Sequence, residues 1–131
     1  MSADAKHVLV VEDDIALRTL MRRQLESGGY SVVEAEDGTD IVSLVDREHV
    51  EVVISDVVMG GRGGIHLARD VREARPDIPI ILVTGALSVG SGPLRDVAEE
   101  LGVFRIIGKP YDAQALLDAV AAALETPGNR L

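Results

Sequence analysis

Val52-Val53-Ile54-Ser55-Asp56 is the stretch on which the fold turns: a short, largely β-branched apolar run that stops at an acid. An earlier run, Val8-Leu9-Val10-Val11, stops in the same way at Glu12-Asp13-Asp14. Runs this short and continuous read as strands of a parallel sheet covered on both faces. If the two strands are neighbours, four carboxylates crowd one sheet edge and repel one another. Such a cluster makes chemical sense if it binds a divalent cation and reaction occurs at one of its oxygens.

Further runs follow at Val32-Val33, Ile80 to Val83 and Val103 to Ile107, and the segments between all these runs have helical spacing instead. Leu17, Leu20, Met21, Gln24 and Leu25 form one helix face before Gly28-Gly29, a natural helix stop. Ile41, Val42, Leu44 and Val45 mark a second helix, and Ile65, Leu67, Ala68 and Val71 a third ending before Pro76. Leu94, Val97, Ala98 and Leu101 mark a fourth, opened by Pro93 and closed by Gly102. Asp112 is a good N-cap for the fifth, which carries Leu116, Leu117, Val120, Ala121 and Leu124. Five βα units in succession imply an α/β fold: one doubly wound (βα)5 domain, a five-stranded parallel sheet with helices on both faces.

The expected unit is a single domain over residues 1–131, with its core from about 7 to 125, short flexible tails and no effector domain. At 131 residues, 47% hydrophobic and 27% charged, the chain is long enough to bury a core. A net charge of −9 and a pI near 4.7 argue against direct contact with a nucleic acid backbone, which needs clustered Lys and Arg. With no cysteine there is no disulfide, thiol nucleophile or thiolate metal site. No apolar stretch approaches the roughly 20 residues of a membrane span, and the first residues lack the blocks of a signal peptide, so a cytoplasmic protein is expected.

In an open α/β sheet, ligands sit beyond the carboxyl ends of the strands. Those ends carry Glu12-Asp13, Asp56, Thr84 and Lys109-Pro110, and two Gly-rich stretches, Gly60 to Gly64 and Gly85 to Gly92, border them. This set, in this order, resembles the receiver domain of two-component response regulators over residues 7 to about 125. The resemblance implies a flavodoxin-like sheet of order 2-1-3-4-5 and a cis Lys109-Pro110 bond. It also implies a phosphoryl group accepted on Asp56 from a histidine kinase or histidine phosphotransfer protein. Mg²⁺ keeps several waters and takes few carboxylates. Its ligands would be Asp13, Asp56 and the backbone carbonyl of Val58, with Glu12 acting through water. Lys109 and Thr84 would hold the phosphoryl oxygens. Output is expected through a downstream protein target, with a possible homodimer on the face of the fourth helix, fifth strand and fifth helix. The chain would promote its own phosphorylation and dephosphorylation without being a turnover enzyme.

Three departures from the receiver pattern stand out. Ile106 occupies the place of the usual aromatic three residues before Lys109, and Phe104 is its nearest substitute, nominally on the same strand face. Gly60 replaces a Pro common four residues after the phosphorylated Asp, which loosens that loop. The Gly85 to Gly92 segment is a few residues longer than usual, so a shorter or mobile fourth helix is expected; from the three departures together, phosphorylation is expected to be retained, with output carried by the loop after Thr84 and the fourth helix. The main alternative is a receiver-like module that works without phosphorylation. A haloacid-dehalogenase-like phosphatase needs a second acid where Asp56-Val57-Val58 has none. A flavodoxin-like FMN carrier wants Ser, Thr and Gly where Glu12-Asp13-Asp14 stands, and aromatic rings where the chain has two Tyr, one Phe and no Trp.

Overall fold

A computed structural model describes residues 5–58, 63–85 and 92–125. Strands and helices alternate: β1 His7–Val11, α1 Ile15–Ser27, β2 Ser31–Ala35, α2 Ile41–Arg47, β3 Val52–Asp56, α3 Gly64–Ala74, β4 Ile80–Thr84, α4 Gly92–Glu100, β5 Arg105–Gly108 and α5 Ala113–Glu125. All pairings are parallel, in the order β2-β1-β3-β4-β5. The fold class, the strand order and the five helices are those expected from the sequence.

The lack of polar alternation in the central strands has a direct cause: both faces of the sheet are covered. Val8, Val10, Val52, Ile54, Ile81 and Val83 pack under Met21 and Leu25 of α1 and Leu116, Ala119 and Val120 of α5. Leu9, Val11, Val53, Ile80 and Leu82 face the other way, against Ile41 and Val45 of α2, Leu67, Ala68 and Val71 of α3, and Ala98 of α4. The helices therefore divide into an α1/α5 layer and an α2/α3/α4 layer, with the long apolar side chains of β1, β3 and β4 fully buried between them.

Local chemistry sets the helix ends. Asp14 caps α1, its Oδ1 accepting from the N–H groups of Ala16 (2.9 Å) and Leu17 (3.1 Å). Asp112 caps α5 in the same manner, accepting from the Ala115 N–H at 2.8 Å. Gly28 closes α1 and Gly29 turns the chain with φ +92°, a region that favours glycine. The fifth strand starts later than its apolar run. Gly102 takes φ +70° and the Val103 N–H bonds back to the Ala98 carbonyl at 3.0 Å, so Val103 closes α4 before the extended chain begins. The Lys109-Pro110 peptide bond is cis, as the family resemblance implies.

Leu82 sits at the centre of β4 with no exposed surface. Leu82→Ala is expected to lower the unfolding free energy by about 2–5 kcal/mol in urea denaturation followed by circular dichroism. A loss below about 1 kcal/mol contradicts this placement of the core.

Candidate functional site

Strand register assembles the site. Val11 pairs with Ser55, so Glu12 comes level with Asp56 across the gap between β1 and β3. Asp56 pairs with Val83 and Thr84 with Gly108, which brings Thr84 one step beyond Asp56 and Lys109 just past Thr84. The backbone N–H of Lys109 donates to the Thr84 carbonyl at 2.7 Å and locks this last step. Glu12, Asp56 and Thr84 are all buried, at 2%, 7% and 3% exposure, while Asp13 is exposed. Among the described residues the edge is thus a buried polar floor with the exposed Asp13 beside it.

Side chains from opposite ends of the chain meet there. The Lys109 ammonium donates to Asp56 Oδ2 at 2.7 Å and lies 3.8 Å from Glu12 Oε1. Asp56 Oδ1 accepts from the Val58 N–H at 3.1 Å, which turns the chain away directly after the strand. Glu12 Oε2 accepts from the Asp14 N–H at 3.1 Å. Asp14 itself is committed to capping α1, which separates it from the other three acids. Residues 59–62 and 86–91 lie outside the described residues, and with them the expectations placed on Gly60 and on most of the Gly85 to Gly92 stretch.

The electrostatics follow from one cation serving three acids. Burial pushes the Glu12 carboxyl up to about 7; the Asp14 N–H opposes this, while hydrogen bonding and charge from Asp56, and hydrogen bonding from Asp13, add to it. Burial disfavours charge on Lys109, but the Asp56 hydrogen bond and the charges of Asp56, Glu12 and Asp13 outweigh it and raise its pKa. Among the described residues, no group of three or more His, Cys, Asp or Glu is placed to hold a metal ion unaided. Mg²⁺ takes one or two carboxylates, retains water and does not require a closed cage. Asp56 and Asp13 both act to raise the Glu12 pKa, and such crowding is what a divalent cation relieves, so the donor set fits it.

Tyr111 was not singled out by the sequence. Its hydroxyl is buried, has no hydrogen-bond partner among the described residues and is pushed up to about 12 by burial and by the charges of Glu12 and Asp56. With Lys109, Pro110, Leu17, Leu20 and Gln24 it lines a groove of about 260 Å³ beside the site. Its position two residues after Lys109 was the available signal. Gly64 was noted only as part of a Gly-rich loop, yet a Cβ there would strike the Asp56 carbonyl oxygen, so α3 approaches the site as closely as it does because this residue has none.

The readout residues separate. Ile106 is half-buried, pairs with Leu82 and packs with the α2/α3/α4 layer. Phe104 precedes β5 and packs in the α1/α5 layer, with the Arg105 guanidinium 5.4 Å from its ring centre. The expectation that the two share a face is corrected: Phe104 lies before β5, its N–H already donating to the Ile80 carbonyl at 2.8 Å, and regular alternation begins only at Arg105.

Residues 8–121 match the family model of the response regulator receiver domain. The transcriptional regulatory protein GlrR of Escherichia coli is 39% identical over 125 residues, 95% of this chain and 28% of that protein. The C4-dicarboxylate transport transcriptional regulatory protein DctD of Pseudomonas aeruginosa is 36% identical over 118 residues, 90% of this chain and 25% of its own length. The chain therefore spans about a quarter of the length of these relatives. Among solved structures, the chemotaxis protein CheY4 of Vibrio cholerae superposes with a TM-score of 0.81 at 26% identity, covering 90% of this chain and 98% of that one. A receiver domain protein of Methanospirillum hungatei gives 0.84 at 24% identity, covering 93% and 95%, and speaks for the fold alone.

The raised Glu12 pKa fixes a sign for pH dependence in the metal-free protein. Because the folded state holds this proton more tightly than the unfolded chain, the stability it contributes is fully present below the ordinary value of 4.5 and is lost as pH rises through about 7. Glu12→Gln cannot ionise. Urea unfolding in the presence of a chelator is expected to show the variant gaining on the wild type between about pH 5 and about pH 8; parallel curves contradict the assignment.

Proposed function

Because the chain belongs to the response regulator receiver family of two-component signalling, we propose that it accepts a phosphoryl group on Asp56 from a histidine kinase or histidine phosphotransfer protein. The observation that best supports this is the 2.7 Å contact between Lys109 and Asp56, which joins residues 53 positions apart at the carboxyl edge of the sheet. An Asp that is buried, hydrogen-bonded by one lysine and flanked by two further acids has its charge managed for a reaction.

The Asp56 Oδ2 oxygen, which Lys109 holds in the resting state, attacks phosphorus in line. The bond from phosphorus to the donor nitrogen or oxygen breaks, and the donor group leaves with that electron pair. Lys109 follows the negative charge from the carboxylate onto the phosphoryl oxygens, and the Thr84 hydroxyl hydrogen-bonds another of them. Asp13, Asp56 and the Val58 carbonyl would hold Mg²⁺, with Glu12 acting through water and giving up the proton that its crowded surroundings favour. When bound, the cation neutralises charge on the transferring group. Hydrolysis of the aspartyl phosphate returns the resting state, so the chain acts on itself as a signalling module and has no outside substrate to turn over.

Partners are expected to be proteins. The net charge of −9 disfavours nucleic acid, and no helix among the described residues is long and apolar enough to cross a membrane. Leu20, in the groove beside Lys109, and Val58, whose N–H meets Asp56, are exposed and suit the approach of a phosphodonor protein. Output is assigned to a downstream protein target, or a second copy of the chain, on the face formed by α4, β5 and α5.

Intact-mass measurement after incubation with Mg²⁺ and acetyl phosphate tests the reading. One phosphoryl adduct is expected on the wild type, none on Asp56→Ala, and none on the wild type after chelation. An adduct that survives Asp56→Ala overturns the assignment of Asp56. A wild type that gains no adduct leaves the reading of a module acting by contact alone.

A further inference from the structure

Arg18, on α1, has no place in the phosphoryl-transfer scheme, yet its contacts converge on the acidic turn. Its Nη1 donates to the Glu12 backbone carbonyl at 2.8 Å, and its Nε donates to Glu34 Oε1 on β2 at 3.1 Å. Its own N–H donates to the Asp14 carbonyl at 2.9 Å, while the Glu12 N–H donates to Ala35 at 3.0 Å. The turn that carries Glu12 and Asp13 is therefore gripped on both sides, by β2 through one backbone bond and by the planar fork of a single arginine through another. The side chain is only 15% exposed, so the grip is made in a partly desolvated setting where a hydrogen bond to a charged group counts for more than on the surface.

Arg22 provides the contrast. Its Nε lies 3.1 Å from Glu34 Oε2, so it shares the same carboxylate, but its contacts stop there and at Glu26. An ion pair of this kind contributes about 0–1 kcal/mol and orients nothing beyond its partner. Arg18 differs by its hold on the Glu12 carbonyl, and a guanidinium can serve a carboxylate and a carbonyl at once because its donors point along fixed directions.

We propose that Arg18 is a positioning residue for the cation site: by clamping the Glu12 carbonyl against Glu34, it fixes the direction in which Glu12 and Asp13 present their carboxylates. It acts through those residues and touches neither the cation nor the phosphoryl group. The inference rests on the reading of Glu12 and Asp13 as cation-binding. Removing partners that orient metal ligands typically lowers metal affinity by about 10–100-fold, which sets the size of the effect.

Calorimetric titration with Mg²⁺ of the wild type, Arg18→Met, Arg18→Lys and Arg22→Met provides the test. Arg18→Met keeps the length of the stem without the donors and is expected to weaken binding at least tenfold, on the order of the effect of losing an orienting partner. Arg18→Lys, which keeps the charge but loses the planar fork that spans two acceptors, is expected to recover only part of the loss, and Arg22→Met to stay within about twofold. Amide exchange of the metal-free proteins is expected to show Asp14 opening faster in Arg18→Met than in Arg22→Met, with the strands unchanged. Equal affinities for Arg18→Met and the wild type, equal weakening in the two Met variants, or exchange raised across the whole sheet overturns the positioning role. A wild type that binds no Mg²⁺ overturns the reading beneath it, whereas failure of the positioning role alone leaves wild-type binding intact.

Discussion

Like charges held close at the edge of a buried sheet repel, and the molecule holds Glu12, Asp13 and Asp56 together against a single lysine. At an effective dielectric near 20, two unit charges about 4 Å apart interact by about 4 kcal/mol, a large part of the stability of a domain this size. The metal-free protein answers in two ways. Lys109 pairs with Asp56 at 2.7 Å, and Glu12 leans toward its protonated form. On the proposed function each answer gives way to another: a cation in place of the proton, and a phosphoryl group that draws Lys109 away from the carboxylate. The apolar interior of β1, β3 and β4 supplies the stability that lets this edge remain frustrated.

Such an arrangement depends on register. A slip of one residue between β1 and β3 would carry Glu12 away from Asp56 and turn the apolar residues of both strands toward the wrong layer, so the core and the site are specified by the same pairing. The site lies at the carboxyl edge, between the two helix layers. Gly64 and Arg18 bear on that edge from opposite sides: one lets α3 approach the Asp56 carbonyl, and the other ties α1 and β2 to the Glu12 carbonyl. Both act on the backbone of the residues that carry the acids.

The central strands and most helix boundaries were legible because their signals are local. Continuous β-branched runs between turn residues mark strands covered on both faces, and Asp14 and Asp112 announce helix starts through the bonds they make within their own turn. The acids, Thr84 and Lys109 were legible because every one of them stands at a strand's carboxyl end, where sequence position translates directly into space. What escaped was set by contacts between distant segments. Arg18 reads as one more charged helix residue until β2 is known to bring Glu34 beneath it. Phe104 reads as a strand residue two before Ile106, but it precedes β5, directly after the turn that Val103 closes onto Ala98, and its ring packs in the other layer. With an aliphatic side chain at Ile106 and the ring of Phe104 across the sheet, the proposed output runs through Thr84 and α4 without an inward-swinging aromatic.

The claim that a proton and a cation compete at this edge is tested most directly by titrating Mg²⁺ into the protein near pH 6.5 in two buffers of different ionisation enthalpy. If Glu12 holds a proton in the metal-free protein with a pKa of about 7, binding releases a substantial fraction of a proton per cation, and the apparent heat changes with the buffer. Heats that are the same in both buffers contradict the account.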